Sequence, residues 1–335
     1  MNKLIDYLRA KEWYDSKIPM ILSVFLYFYM LDPAQYDFET FLVRFIAYFV
    51  YLAMFLAFSY VINDYSDIEV DQLAGKQKII MQMQKRTVLA SLVAMFVLGN
   101  LPIAIVSGFS PIMLTIIAFT YFWGAAYSIR LFRFKEKGIW GIIECSIAQR
   151  CLPLLLILML VKINWASFVA WVLLYFGCGL RYILVHQVID LENDRVANVK
   201  TFVSNGNKYK GGIFLAFGTE IILLLILFAR FVKDNLWLLL FAVVYIAMEY
   251  VIFTVVQKFM GRQWFFTYDA FPLEDLYNIY MPLLLAVLLC KISSVGFVLL
   301  VIFVVYVNKA FRGKMRFITT YFSVKIKGEQ HKNDI

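Results

Sequence analysis

The chain has 335 residues, 62% hydrophobic and only 16% charged, with a net charge of +9. A soluble domain of this length carries far more surface charge, so a soluble fold is excluded. The basic balance comes without any soluble basic module, so nucleic-acid binding is not expected, and it fits instead the positive-inside bias of a membrane protein.

Residues 1–17 are polar and charged, with no apolar core or small-residue cleavage site, so they are not read as a cleavable signal. Lys3, Arg9 and Lys11 near Trp13 and Tyr14 predict an N-terminal amphipathic segment lying on the membrane. Apolar runs of roughly spanning length follow at 18–31, 41–62, 88–107, 110–127, 139–161, 165–188, 212–231 and 236–256. A last apolar stretch, 271–307, is interrupted by Pro282 and Lys291 and reads either as one long helix or as a short hairpin. The predicted fold is all-α, a polytopic membrane bundle of about nine transmembrane helices around a central cavity. It occupies 18–308 and is followed by a basic C-terminal tail at 309–335.

Orientation follows from the lysines and arginines. Lys76, Lys78, Lys85 and Arg86 follow span two, Arg130, Arg133, Lys135 and Lys137 follow span four, and Arg195, Lys200, Lys208 and Lys210 follow span six. The opposite connections are short and poor in positive charge, so the N-terminus and the three large loops are expected in the cytoplasm. Nine spans then leave Lys309, Arg312, Lys314, Arg316, Lys325 and Lys327 outside, whereas a hairpin at 271–307 returns them to the cytoplasm. The four cysteines, Cys145, Cys151, Cys178 and Cys290, lie in apolar runs without CxxC spacing and read as small buried hydrophobes rather than metal ligands or disulfides.

Two acidic runs stand out within these basic loops. Asn63, Asp67 and Asp71 are spaced i, i+4, i+8, which keeps three oxygen side chains near one helical face just past span two. Asp190 and Asp194 repeat the i, i+4 spacing past span six, with His186 one turn earlier, and both aspartate pairs are separated by 123 residues. Each run alone also fits a solvated helix cap. Two such clusters facing each other repel unless cations bridge them. A pair of Mg²⁺ ions bridging a diphosphate satisfies that demand, because Mg²⁺ takes a few carboxylates and completes its shell with water and phosphate oxygens. Polar side chains inside spans usually face an interior cavity; here these are Glu144, Gln149 and Arg150 in span five and Arg181 and His186 in span six. Glu144 and Arg150 are also read as partners for other buried groups.

The NDxxDxxxD run at 63–71 and the DxxxD run at 190–194 resemble the UbiA superfamily of intramembrane prenyltransferases. Tyr127-Ser128-Ile129-Arg130, with Lys135 and Gly138, resembles that family's third signature loop. Where the family often has Arg-Pro, this chain has Lys17-Ile18-Pro19, and Lys76 and Lys78 follow the first motif. The resemblance implies transfer of a prenyl group from an isoprenyl diphosphate to a lipophilic acceptor, aromatic or otherwise. Asn63, Asp67 and Asp71 would bind one Mg²⁺ and Asp190 and Asp194 the other, with Arg130, Lys135 and Lys76 on the diphosphate. Tyr60 and Tyr127 would stabilise an allylic cation, and His186 would orient a ligand or accept a proton. A cyclase acting on the diphosphate alone is the alternative within the same family. A cation transporter is the alternative outside it, and it would place its carboxylates near mid-membrane on broken helices.

Overall fold

The computed structural model describes residues 2–73, 75–129, 131–196, 200–206, 209–260 and 273–308, with 312 and 319 besides. Among them are helices and turns but no strand. The helices are α1 (Asn2–Tyr7), α2 (Ile18–Leu31), α3 (Phe38–Ser66), α4 (Ile68–Leu73), α5 (Lys85–Ser107), α6 (Pro111–Ala126) and α7 (Ile139–Ser146). They continue with α8 (Trp165–Ile189), α9 (Leu191–Val196), α10 (Lys210–Asp234), α11 (Trp237–Met260), α12 (Met281–Cys290) and α13 (Val295–Asn308). Five stretches are long and apolar enough to cross a membrane, and five shorter apolar helices accompany them. The exposed side chains are themselves apolar, for example Val93, Leu98 and Ile105 on α5 and Leu215, Ile222 and Leu225 on α10. Such a surface is stable against lipid and not against water. The chain divides into two compact units, Met1–Leu227 and Phe228–Ile335.

In the first unit, α3, α6 and α8 each begin at a side-chain cap. Asp37 accepts from Thr40 N at 2.7 Å, Ser110 from Met113 N at 3.2 Å and Asn164 from Ser167 N at 3.0 Å. These caps satisfy backbone donors that the bilayer cannot. One face of α3 carries an aromatic row, Phe41, Phe45, Tyr48, Tyr51 and Phe55, all buried. Phe25 of α2 packs on it with ring centroids 5.6 Å from Tyr48, and Tyr121 of α6 closes the other end 5.3 Å from Phe55.

The fifth predicted span is not a regular helix. α7 gives way to a π turn at Ile147–Cys151 and then to a 3₁₀ stretch at Leu152–Met159. Pro153 accounts for this: it has no N–H for the ladder and its ring clashes with the carbonyl one turn back. α8 packs closely on this element, and a Cβ at Gly179 would stand 2.8 Å from both Cα and Cβ of Ser146. Gly179→Ala is therefore expected to destabilise the protein by about 1 kcal/mol net, the overpacking outweighing alanine's helix propensity. Thermal unfolding in detergent checks this, and an unchanged or raised Tm would show that the helices separate freely.

The N-terminal segment departs from one interfacial helix. It is the short α1 followed by a 3₁₀ turn, broken at Arg9, whose φ is 48°. Trp13 is buried rather than lipid-facing, and Tyr7 hydroxyl bonds Ser91 of α5 at 2.5 Å. The break turns Arg9 inward.

In the second unit, the 271–307 stretch is two helices. A π turn at Leu276–Tyr280 leads into α12, and α13 follows after a turn at 291–294. Gly296 makes the turn feasible, since a Cβ there would meet Cys290 N at 2.2 Å. Lys291 Nζ donates to Asn235 Oδ1 at 2.7 Å and lies over the Trp237 ring. The turn thus sits beside the α10–α11 connection, and the chain enters and leaves the α12–α13 hairpin at the other end. The basic tail expected at 309–335 lies outside the described residues, apart from 312 and 319.

Candidate active site

Both acidic motifs adopt one local geometry. α3 ends at Asp67 (φ −101°, ψ 4°), and α8 ends at Asp190 (φ −86°, ψ 0°). Each aspartate closes a backbone bond to the residue four before it, Asp67 N to Asn63 O at 3.1 Å and Asp190 N to His186 O at 3.0 Å. Each then receives one from the residue four after it, Asp71 N to Asp67 O and Asp194 N to Asp190 O, both at 2.8 Å. The short helices α4 and α9 continue beyond. The conformation at both aspartates is the sparsely allowed bridge region, where active-site residues recur. The even i, i+4, i+8 run expected on one helix is in fact two helical pieces joined at the middle aspartate, and His186/Asp190/Asp194 is its structural counterpart.

Basic side chains surround the first motif. Lys135 Nζ hydrogen-bonds Asp67, and Arg133 lies 3.9 Å from the same carboxylate. Lys78 Nζ stands 2.6 Å from both Asp64 and Asp71, Arg9 donates to Asp64 at 3.1 Å, and Lys76 lies 3.7 Å from Asp71. Burial opposes the charge on Lys78, but its hydrogen bonds to Asp64 and Asp71 outweigh that and raise its pKa above the usual lysine range. Asn63 accepts from Ser128 Oγ at 2.6 Å, which ties the motif to the loop after α6.

In the second motif His186 Nδ1 lies 2.9 Å from Asp190 Oδ2, and Thr201 Oγ1 donates to Asp194 at 3.1 Å. The His186 hydrogen bond holds the Asp190 carboxyl below its ordinary range, while burial, with Asp190 beside it, pushes Asp194 up. Lys76 acts electrostatically on both Asp190 and Asp194 as well as pairing with Asp71. Its side chain is more than half exposed, and it is the least of the groups acting on Asp190 and Asp194.

The two tyrosines have distinct surroundings. The Tyr60 ring carries two cations, Lys17 at 4.8 Å and Arg9 at 5.1 Å. Tyr127 is within electrostatic reach of Cys145, Glu144 and Asp67. Arg130 lies outside the described residues. Arg9, Lys17, Asp64 and Lys78 belong to the site although no ligand or substrate role was read for them. Asp64 and Lys78 had a signal in the acidic and basic runs around Asn63 and Lys76, whereas nothing local to Arg9 or Lys17 foretold inward placement. Glu144 and Arg150 do not pair with each other; Arg150 contacts Met20 Sδ at 2.9 Å and the Tyr182 ring.

The candidate ligands Asn63, Asp67, Asp71, Asp190 and Asp194 all offer oxygen, the donor that a hard divalent cation takes. Among the described residues no three His, Cys, Asp or Glu side chains converge into a metal cage by themselves. Mg²⁺ is ordinarily bound by one or two carboxylates, with substrate phosphates and water completing its shell. The donor set therefore fits the ion.

The family model for the UbiA prenyltransferase family matches residues 20–271. Solved structures of a UbiA homolog from Archaeoglobus fulgidus share the fold. The one bound to Cd²⁺ has a TM-score of 0.58 at 15% identity. Those bound to DMAPP and Mg²⁺ and to GPP and Mg²⁺ have TM-scores of 0.58 and 0.57 at 16% and 17% identity. In each case the match covers 89% of this chain and 99% of the other. No curated protein matches the chain.

Proposed function

The chain belongs to the UbiA prenyltransferase family, and from that membership we propose that it is a Mg²⁺-dependent intramembrane prenyltransferase. It moves a prenyl group from an isoprenyl diphosphate to a lipophilic acceptor, aromatic or otherwise. The observation that carries this reading is the pair of matched turns at Asp67 and Asp190. Carboxylates alone make a cation site; carboxylates interleaved with Lys76, Lys78, Arg133 and Lys135 make a site for a cation together with a polyanion. The relatives bound to DMAPP or GPP with Mg²⁺ supply the same pairing of metal and prenyl diphosphate.

Asn63, Asp67 and Asp71 would hold one Mg²⁺, and Asp190 and Asp194 a second. When bound, the metal supplies positive charge to the diphosphate as a leaving group. Lys135, Lys76 and Arg133 give charge-assisted hydrogen bonds to diphosphate oxygens. His186 fixes the rotamer of Asp190 through its Nδ1 contact. The Tyr127 ring would stabilise an allylic cation without capturing it, whereas the Tyr60 ring already carries Lys17 and Arg9 and is not available for that role. In the transfer, the bond from prenyl C1 to the diphosphate oxygen breaks with its electron pair going to the diphosphate. The acceptor supplies the pair for the new bond to C1 and releases a proton to solvent. The lysines and arginines after α3, α6 and α8 support a cytoplasmic-facing site by the positive-inside bias.

The test uses the purified full chain in nanodiscs with Mg²⁺ and dimethylallyl, geranyl and longer prenyl diphosphates, with a membrane extract as acceptor. Pyrophosphate release that a chelator abolishes, with a prenylated acceptor as product, is the expected result. A cyclic hydrocarbon or alcohol made without acceptor would move the assignment to a cyclase. No release with any chain length from folded protein would end the enzyme reading.

A further inference from the structure

The two acidic motifs repeat at an interval of 123 residues, and the repeat runs on past the aspartates. Asp67 corresponds to Asp190, Asp71 to Asp194 and, seven residues further, Lys78 to Thr201. The contact repeats as well. Lys78 Nζ stands 2.6 Å from Asp71 Oδ2, and Thr201 Oγ1 donates to Asp194 Oδ2 at 3.1 Å. What differs is charge: the last aspartate of the first motif is held by an ammonium, that of the second by a neutral hydroxyl. Thr201 is fixed in its loop, since its backbone N–H donates to Ser204 Oγ at 2.8 Å, and Gln187 of α8 accepts from Val203 N at 3.2 Å. The neutral contact is thus as firmly built as the charged one.

The same contrast extends over each motif. Around the first, three carboxylates meet three cations: Arg9 donates to Asp64 at 3.1 Å, Lys78 bridges Asp64 and Asp71, and Lys135 bonds Asp67. The Asp71 side chain is 8% exposed, so water and salt screen this pairing little. Around the second, Asp190 has the His186 imidazole and Asp194 the Thr201 hydroxyl, and among the described residues no lysine or arginine forms an ion pair with either. Arg195, the nearest in sequence, is taken up by Glu192 at 2.9 Å. The Asp190 side chain is 39% exposed and open to an incoming ion. The affinity of a carboxylate site for a divalent cation rises with its negative charge, and an ammonium already in contact with the same oxygens opposes a further cation.

We propose that Lys78 and Lys135 are built-in counter-ions that keep the first motif closed to a divalent cation in the substrate-free protein, while Thr201 leaves the second motif open to one. The substrate-free chain therefore holds a single ion, at Asp190 and Asp194. The first motif accepts its own only when a diphosphate draws the two lysines off Asp71 and Asp67. This rests on the prenyltransferase reading above and assigns an order to the filling of that site.

The probe is Mn²⁺ in place of Mg²⁺, because free Mn²⁺ is counted directly by its paramagnetic resonance. The full chain in phosphatidylcholine nanodiscs is titrated with and without geranyl thiolodiphosphate, a slowly cleaved donor analogue, with empty nanodiscs as the blank for each. Without the analogue, wild type is expected to bind one ion per chain, and with it two. Asp190→Asn is expected to weaken the ion bound without analogue at least about tenfold, and Asp67→Asn to leave its affinity within about twofold. The double variant Lys78→Thr, Lys135→Ala is expected to bind two ions without analogue. Lys78→Arg keeps the charge and is expected to keep the count at one. A wild-type count of none or two without analogue, no second ion with it, an ion that follows Asp67 rather than Asp190, a double lysine variant still at one, or a second ion in Lys78→Arg would overturn the proposal. If the lysine variants fail to fold, wild type and the two asparagine variants still decide. Absence of any Mg²⁺-dependent pyrophosphate release from wild type with geranyl diphosphate would instead remove the prenyltransferase reading, a failure that the ion count keeps apart from this one.

Discussion

Asp67→Asn and Asp190→Asn are each expected to lower Mg²⁺-dependent pyrophosphate release by about 10²- to 10³-fold, the range seen when one preorganised charge-stabilising group is removed. Asparagine keeps the shape and one ligand oxygen, so what is lost is charge. Each aspartate stands at the hinge between two helical pieces, Asp67 between α3 and α4 and Asp190 between α8 and α9. The flanking turns are closed by backbone bonds that the substitution does not touch. The fold should therefore survive, with a Tm near wild type. If the two motifs serve one diphosphate, as proposed, the double variant is expected to be little worse than the worse single one, because groups that act as a unit are not additive. Lys135→Ala is expected to act mainly on the KM for the prenyl diphosphate, since in the proposed role its ammonium would bind the diphosphate in ground and transition state alike. Steady-state release assays on the three variants check this. Two independent, multiplying losses at Asp67 and Asp190 would show that the motifs do not share one substrate.

Much of this site could be read from residue spacing. The i, i+4 intervals at Asp67/Asp71 and Asp190/Asp194, each following an even-numbered apolar run, located both platforms, and Lys135 and Lys76 stood in the loops that border them. The hinge at each middle aspartate could not be read, because i, i+4 spacing looks the same along a continuous helix and across a helix end. Arg9 reads as part of a membrane-lying segment because basic residues near Trp13 normally anchor to lipid; only the left-handed turn at Arg9 reveals that it faces Asp64. Hydropathy located the fifth span but could not show its π and 3₁₀ pieces, which follow from Pro153 and not from apolarity. At 271–307 the interruption at Lys291 left helix and hairpin open, and the turn at 291–294 between α12 and α13 decides for two helices.

The largest stability effect is expected at Glu220. Arg181 on α8 donates two hydrogen bonds to this carboxylate on α10, at 2.7 and 3.1 Å, and the two side chains are 2% and 0% exposed. Bidentate geometry of this kind is the arrangement in which attraction offsets much of the desolvation of two buried ions. Deleting one partner leaves the other charge in a low-dielectric interior, so Glu220→Ala is expected to cost about 3–5 kcal/mol. Alanine also leaves an unfilled volume beside Gly177, whose Cβ position is 3.7 Å from Glu220 Cγ. Glu220→Gln should cost less, because the amide still accepts one of the two bonds. The double variant Arg181→Met, Glu220→Leu is expected to recover most of the loss, since well-packed apolar side chains often replace a buried ion pair without penalty. Tm values and expression in detergent for the three variants check this ordering. A double variant no better than Glu220→Ala would mean that the pair holds α8 to α10 in a way that packing cannot replace, and Asp190 at the end of α8 should then lose its register with Asp67.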